Sequence, residues 1–250
     1  MQVNKSHIWY ASSMRPYAKN EPWFYDAKDQ PELVAIENHW PDLKNELHNF
    51  IKNKDDKFLS TKALYDKIDI HNGWSALIFK FWGLNISNEF KKECPKTMQY
   101  LNKIPGLVSL SFSKLAPKAA LAEHVGDTNA ILRCHLGIEI PAQLPDCGIK
   151  VNGEEKNWEE GKWLIFNDAY LHGTWNNTDN RRIILIIDVI RPEFIRKKNI
   201  VCAFILTRHV SYLYHRIKLV ERMPAFIKTM LFAFFLGAIY LLRPVYNLFK

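Results

Sequence analysis

Between residues 107 and 190 the apolar residues recur with a period of two, in short runs cut by turns, and this pattern restricts the fold more than any other feature of the chain. The runs are LVSLSFSKL, ILRCHLGIEI, CGIKV, KWLIF and RIILIIDVI, with turn signals at Asn152-Gly153 and Glu160-Gly161. A period of two places alternate side chains on opposite faces of a sheet. Several short strands at this spacing predict an all-β sandwich or a jelly-roll barrel. Upstream the period lengthens. In PELVAIENHWPDLKNELHNFIK, residues Leu33, Ile36, Trp40, Leu43, Leu47, Phe50 and Ile51 fall at helical spacing, with a kink or break expected near Pro41. WSALIFKFW, from Trp74 to Trp82, reads as a strand after the turn Asn72-Gly73. CPKTMQYLNKIPG reads as a short helix ending at Pro105-Gly106.

Charge separates the chain into two parts. From Val189 to Lys250 there are 11 Lys and Arg against 2 Asp and Glu, a balance of +9, while the rest holds 23 against 24. The basic residues of the tail flank long apolar stretches. That arrangement favours an anionic membrane surface over nucleic acid, and no nucleic-acid partner is expected. TMLFAFFLGAIYLL, between Lys228 and Arg243, is uncharged for 14 residues. It is short for a span, which needs about 20 residues. A transmembrane helix, an interfacial helix and a helix covering the barrel all stay open. The four cysteines, Cys94, Cys134, Cys147 and Cys202, make no C-x-x-C and are expected as buried free thiols. MQVNKSHIWYASSMRPYAKN has no apolar secretory core, so the catalytic part is expected on the cytoplasmic side.

Two histidines bracket the strand-rich region, His124 in AEHVGDTN and His172 in AYLHGTWNN, each expected in a polar loop beside a strand. In ILRCHLGIEI, Arg133, His135, Gly137 and Glu139 share one face, and Leu132, Cys134, Leu136 and Ile138 the other. In RRIILIIDVI, Arg182 points to the same side as Ile184, Ile186 and Asp188. A cation there caps the core from solvent or, if it points inward, requires an anion. Imidazoles suit Fe(II), and guanidinium grips carboxylate, so an iron and oxoacid site is one reading of this set. Ordinary surface histidines and core-edge arginines are the other.

The stretch EHVGDTNAILRCHLGIEIP…CGIKVNGEEKNWEEGKWLIFNDAYLHGTWNNTDNRRIILIIDVIRPE strongly resembles the aspartyl/asparaginyl β-hydroxylase family. NGWSALIFKFWG, CPKT and SFSKLAP extend the resemblance upstream, to roughly residues 20–194. It implies a mainly β fold, a double-stranded β-helix, preceded by N-terminal helices and followed by a helical, hydrophobic tail. It also implies Fe(II) as metal, 2-oxoglutarate as cosubstrate and O₂ as oxidant. By resemblance, His124 and His172 ligate iron, while Ser113 and Arg182 hold the distal carboxylate of 2-oxoglutarate. Arg133 and His135 then lie near its iron-chelating end, and Trp74 and Leu115 line the pocket. Most iron and oxoacid enzymes supply a third, carboxylate ligand two residues after the first histidine. Here that position is Gly126, so a water or anion must fill the place. Asp168 matches a family acid that orients such a water, a catalytic role, whereas Asp127 reads as a turn carboxylate.

These readings divide the chain into a dioxygenase domain, 1–194, and a basic membrane-associating tail, 195–250. The expected substrate is an Asp or Asn side chain of a protein, or a lipid acyl chain, near a membrane. A soluble hydroxylase of a free amino acid and a non-catalytic binding relative are the alternatives.

Overall fold

The computed structural model describes residues 7–11, 16–52, 58–60, 68–69, 73–86, 92–215 and 217–249. Asn72 of the expected turn lies outside the described residues, as do 1–6 and 12–15 of the N-terminal arm. Twelve strands are formed among the described residues: β1 (Phe24–Tyr25), β2 (Leu59–Ser60), β3 (Trp74–Phe81), β4 (Leu84–Asn85), β5 (Leu107–Leu115), β6 (Ala119–His124), β7 (Ile131–Glu139), β8 (Cys147–Val151), β9 (Glu154–Lys156), β10 (Trp163–Phe166), β11 (His172–Asn176) and β12 (Arg182–Ile190). The helices are α1 (Pro31–Glu37), α2 (Trp40–Ile51), α3 (Pro95–Leu101), α4 (Lys198–His215), α5 (Lys218–Glu221) and α6 (Ala225–Leu248).

Strands β5 to β12 fall into two antiparallel sheets. The larger runs β1-β10-β7-β12-β5-β3-β2, with β4 paired to β3, and the smaller runs β6-β11-β8-β9. Successive strands therefore switch sheets along most of the chain, which is the winding of a double-stranded β-helix, as expected. All five period-two runs are strands. β12 lies between β5 and β7 and is covered on both faces, which is why RIILIIDVI reads as a nearly unbroken apolar run.

The larger sheet has a core on each face. Leu132, Cys134, Leu136, Ile183, Leu185 and Ile187 pack outward against helical residues such as Leu43, Leu47 and Leu101. Ile184 and Phe166 face inward with Cys147, Ile149 and Trp158. The two-face division of β7 and β12 follows the sequence pattern. The expected break near Pro41 is real: the helical run divides at Asn38-His39, and Pro41 sits in the first turn of α2. There its missing N–H costs no helical hydrogen bond.

The expected division at 194/195 runs between elements that share a core. Phe194 packs with Val201, Cys202, Ile205 and Leu206 of α4 against Trp82, Val108 and Ile131 of the barrel. The four cysteines are free and buried.

Candidate functional site

Both histidines sit on strands rather than in loops: His124 is the last residue of β6 and His172 the first of β11. The two strands are short, AALAEH carries little β propensity, and in HGTWN only Thr174 and Trp175 favour a strand. Their extended state comes from the ladder that holds β11 between β6 and β8. The antiparallel register puts His172 directly opposite His124. Cross-strand partners bring side chains together on one face, and the imidazole centroids are 4.3 Å apart.

Each ring is held by its own strand. His124 Nδ1 is 2.8 Å from Ala122 O, and His172 Nδ1 is 2.9 Å from Tyr170 O. A carbonyl only accepts, so Nδ1 carries the proton in both rings and Nε2 keeps its lone pair. Burial lowers both pKa values, that of His172 strongly, with the neighbouring imidazole and Arg133 adding to the effect. Two neutral imidazoles with outward lone pairs fit a divalent metal. Among the described residues no third His, Cys, Asp or Glu completes a ligand cluster.

Gly126 explains why. A Cβ at that position would overlap the carboxylate of Asp168, and the Gly126 N–H donates to Asp168 O at 2.6 Å. The space for a third ligand from position 126 is thus filled by a carboxylate from another segment. Asp168 is fully buried, with its Oδ2 2.8 Å from Arg133 Nη1. The contact is electrostatic, since neither Asp168 oxygen accepts an aligned hydrogen bond from the described residues. Burial raises its pKa to about 7 against the pull of Arg133, with Asp188 and Asp127 adding to the rise.

Arg133 is shared between two acids. Its Nε and Nη2 donate to Asp188 Oδ1 and Oδ2, at 2.8 and 3.1 Å, while Nη1 faces Asp168. The structure therefore engages Arg133 with protein carboxylates, whereas the resemblance places it near the oxoacid. The Asp127 carboxylate pairs with Arg208 of α4 at 3.2 Å.

Farther along β12 the chemistry changes sign. Arg182 is 1% exposed, yet its Nε and Nη1 have no hydrogen-bond partner among the described residues. Its guanidinium carbon lies 4.8 Å from the centre of the Trp158 ring, and burial lowers its pKa to about 10. A buried cation of this kind costs several kcal/mol, on the order of what an uncompensated charge costs elsewhere, unless an anion joins it. The side chain points inward, so the requirement for an anion applies. Ser113, buried on the adjacent β5, accepts from Trp74 Nε1 at 3.0 Å and keeps its own proton to donate. Leu115 pairs with both Arg182 and Trp74 across the ladders. His135, paired with Ile186 on β12, accepts from Trp158 Nε1 at 3.2 Å through Nδ1. That contact assigns the ring proton to Nε2, which is buried and without a partner among the described residues. Orphaned donors at His135 and Arg182 beside two imidazoles suit a dicarboxylate that also reaches a metal.

Two residues of this set carry no expectation from the sequence. Trp158 contacts both His135 and Arg182, and its signal was its place at the head of the W-E-E-G-K motif. Asp188 holds Arg133, and its signal was its shared face with Arg182.

Comparison with known proteins gives the family. The model of the family described as Aspartyl/Asparaginyl beta-hydroxylase matches residues 37–192. The chain is 33% identical over 187 residues to an ornithine lipid ester-linked acyl 2-hydroxylase of Rhizobium tropici, a match covering 74% of this chain and 66% of that one. It is 34% identical over 184 residues to the human aspartyl/asparaginyl beta-hydroxylase, covering 70% of this chain and 23% of the human protein. Among solved structures, a Pseudomonas putida prolyl-4-hydroxylase aligns with 64% of this chain and 98% of its own, at 15% identity and a TM-score of 0.45. The chain thus spans under a quarter of the human relative and just under two thirds of the bacterial one. On the family match and the residues that it covers, the chain belongs to the aspartyl/asparaginyl β-hydroxylase family.

Proposed function

We propose that this chain is an Fe(II)- and 2-oxoglutarate-dependent hydroxylase that acts on the acyl chain of a membrane lipid. The observation that carries the chemistry is Arg182, a buried cation with no anion partner among the described residues, on the inward side of the sheet with two opposed neutral imidazoles. His124 and His172 hold the metal through Nε2. Arg182 and the Ser113 hydroxyl hold the distal carboxylate of 2-oxoglutarate, and His135 Nε2–H donates to the oxoacid nearer the metal. Trp158 fixes the His135 tautomer, and Trp74 with Leu115 closes the Arg182 end of the pocket against water. Arg133 acts through Asp168. It keeps that carboxylate beside Gly126, where its unaligned oxygens can accept from a water in the third ligand place. Bound iron supplies O₂ activation coupled to decarboxylation of 2-oxoglutarate, which yields succinate, CO₂ and a hydroxylated carbon.

A lipid is favoured because α6 is long and apolar enough to cross a membrane and one of its apolar faces is exposed. The similarity to an acyl 2-hydroxylase supports the same reading. The 34% identity to the human relative supports a second one, hydroxylation of an Asp or Asn side chain of a protein. Buried free thiols suit a reducing compartment, which supports a catalytic domain on the cytoplasmic face.

The test is succinate formation with Fe(II), 2-oxoglutarate and O₂ in the presence of membrane lipids, with mass spectrometry of acyl chains and of candidate peptides. His124→Ala and His172→Ala should each abolish turnover and metal binding, because each removes one of two protein ligands. Full turnover in either variant sinks the iron assignment. Oxygen gained by the peptide and not by the lipid selects the protein reading.

A further inference from the structure

Helix α6 carries two cations, and both are turned away from one of its faces. Lys228 Nζ folds back to donate to Glu221 O at 2.8 Å. Arg243 is 6% exposed. Its Nη2 donates to Asn199 Oδ1 at 2.7 Å and its Nη1 to Trp82 O at 3.3 Å. One turn later Asn247 donates to Gly83 O at 2.7 Å and accepts from the Asn85 N–H at 3.0 Å. These contacts fasten the far end of α6 to the turn between β3 and β4. The approach is close: a Cβ on Gly83, whose φ is +80°, would lie 2.5 Å from Arg243 Nη1. The middle of the helix packs on the domain as well. Phe232 meets Phe204 of α4 at 5.5 Å, and Ile239 joins the core beneath α4.

The opposite face of α6 is apolar from end to end. Phe226, Met230, Phe234, Leu241, Val245 and Leu248 are each half exposed or more, at helical spacing. The stripe is about 33 Å long at 1.5 Å per residue. At its near end Ile217 and Leu219 are exposed beside the exposed cations Lys218 and Arg222. Apolar side chains with flanking cations suit acyl chains beneath anionic headgroups.

A helix of this length and composition can cross a bilayer, but not while its middle and its far end are both fastened to one folded domain. Crossing would carry Arg243 and Asn247 to the far side or tear the guanidinium from the carbonyl and amide that hold it. We propose that α6 lies in the plane of a bilayer, with its apolar stripe among the acyl chains and its Arg243 and Asn247 side on the barrel. This rests on the membrane part of the function proposed above and is independent of the iron chemistry. The same helical pair reaches the site, because Arg208 of α4 pairs with Asp127, three residues beyond His124. The barrel is thereby held at the lipid boundary in one orientation.

The four native cysteines are buried, so single cysteines placed on the stripe can be labelled selectively. Phe226→Cys, Phe234→Cys, Leu241→Cys and Leu248→Cys, each carrying an environment-sensitive fluorophore, are added as full-length protein to vesicles of phosphatidylcholine and phosphatidylglycerol. Quenching by lipids brominated near the headgroup or near the chain end then reports depth. All four positions should be quenched to similar extents, and better by the shallow bromines. Deep quenching at Phe234 with shallow quenching at Phe226 and Leu248 would mean a span and overturn the in-plane geometry, leaving the membrane reading intact. No quenching at any position would overturn both, and a dimer in ultracentrifugation would then identify a second copy as what covers the stripe. A double variant, Phe234→Lys with Leu241→Lys, alters exposed positions only and should lower vesicle binding by roughly tenfold or more, since two apolar anchors are lost. Unchanged binding would overturn the proposal.

Discussion

Each residue at the site does work that its neighbours make necessary, and Arg182 is the clearest case. Its burial without an anion makes it a liability in the absence of ligand. Arg182→Met should leave the ligand-free protein at least as stable as the parent, because replacing an unpaired buried cation with an apolar chain removes a desolvation cost. The same variant should lose the rise in Tm that 2-oxoglutarate gives the parent, and its KM should climb. A charge-assisted contact of roughly 1.5–3 kcal/mol corresponds to about a 10- to 150-fold change. An unchanged KM would mean that Arg182 binds no cosubstrate.

Asp168 offers a second test at this scale. Its pKa is raised to about 7, so the folded state holds a proton that the unfolded state releases near pH 4. The stability this contributes is full below the unfolded value and is lost as pH rises through about 7. Asp168→Asn should flatten that stretch of the stability profile in metal-free protein. A parent profile that rises with pH over the same range contradicts the assignment. Gly126→Ala should cost about 1–3 kcal/mol, measured by denaturant unfolding, because the new methyl must displace a carboxylate held by Arg133.

At the scale of elements, α4 and α6 part company. Val201, Cys202, Ala203, Ile205 and Leu206 of α4 are at most 5% exposed. Fully burying a Val, Leu or Ile side chain contributes about 1.5–3 kcal/mol, so removing α4 takes away several such terms. That sum approaches the whole stability of a typical domain, about 5–15 kcal/mol. Truncation after residue 197 should therefore unfold the barrel, whereas truncation after 223, which removes α6 alone, should leave a folded, soluble and 2-oxoglutarate-binding domain. Circular dichroism and calorimetry of the two forms check this. A folded product from the shorter chain would show that α4 is an accessory. The expected outcomes would put the boundary of the tail between α4 and α6, later than the division expected at 194/195.

For the molecule as a whole, charge and apolar surface are concentrated at one end of the chain and the chemistry at the other. Screening weakens the attraction between cations and headgroups but leaves apolar insertion almost untouched. Vesicle binding should therefore fall with added salt to a plateau above zero. Complete release at about 1 M salt, where the Debye length is about 3 Å, would mean that the tail adheres by charge alone.

How much of this was legible in the sequence follows from the range of the forces involved. Strands β5, β7, β8, β10 and β12 were readable because burial of one or both faces imposes a period that survives in the residues themselves. β6 and β11 were not, because Ala and Glu in the one, and Gly and Asn around Thr174 and Trp175 in the other, dilute any strand preference, and hydrogen-bonded neighbours made the decision. The identity of His124, His172 and Arg182 as the groups to watch came from motif and resemblance. Their convergence, the tautomers set by Ala122, Tyr170 and Trp158, and the filling of the Gly126 space by Asp168 depend on contacts between segments far apart in the chain. Composition determined that α6 is apolar and that its surroundings are basic. Whether such a helix spans, lies flat or covers the barrel is a question about where its two cations go. Only the tertiary structure brings Arg243 and Asn247 to the β3–β4 turn, because these contacts join residues far apart in the chain, and the proposed in-plane placement rests on them.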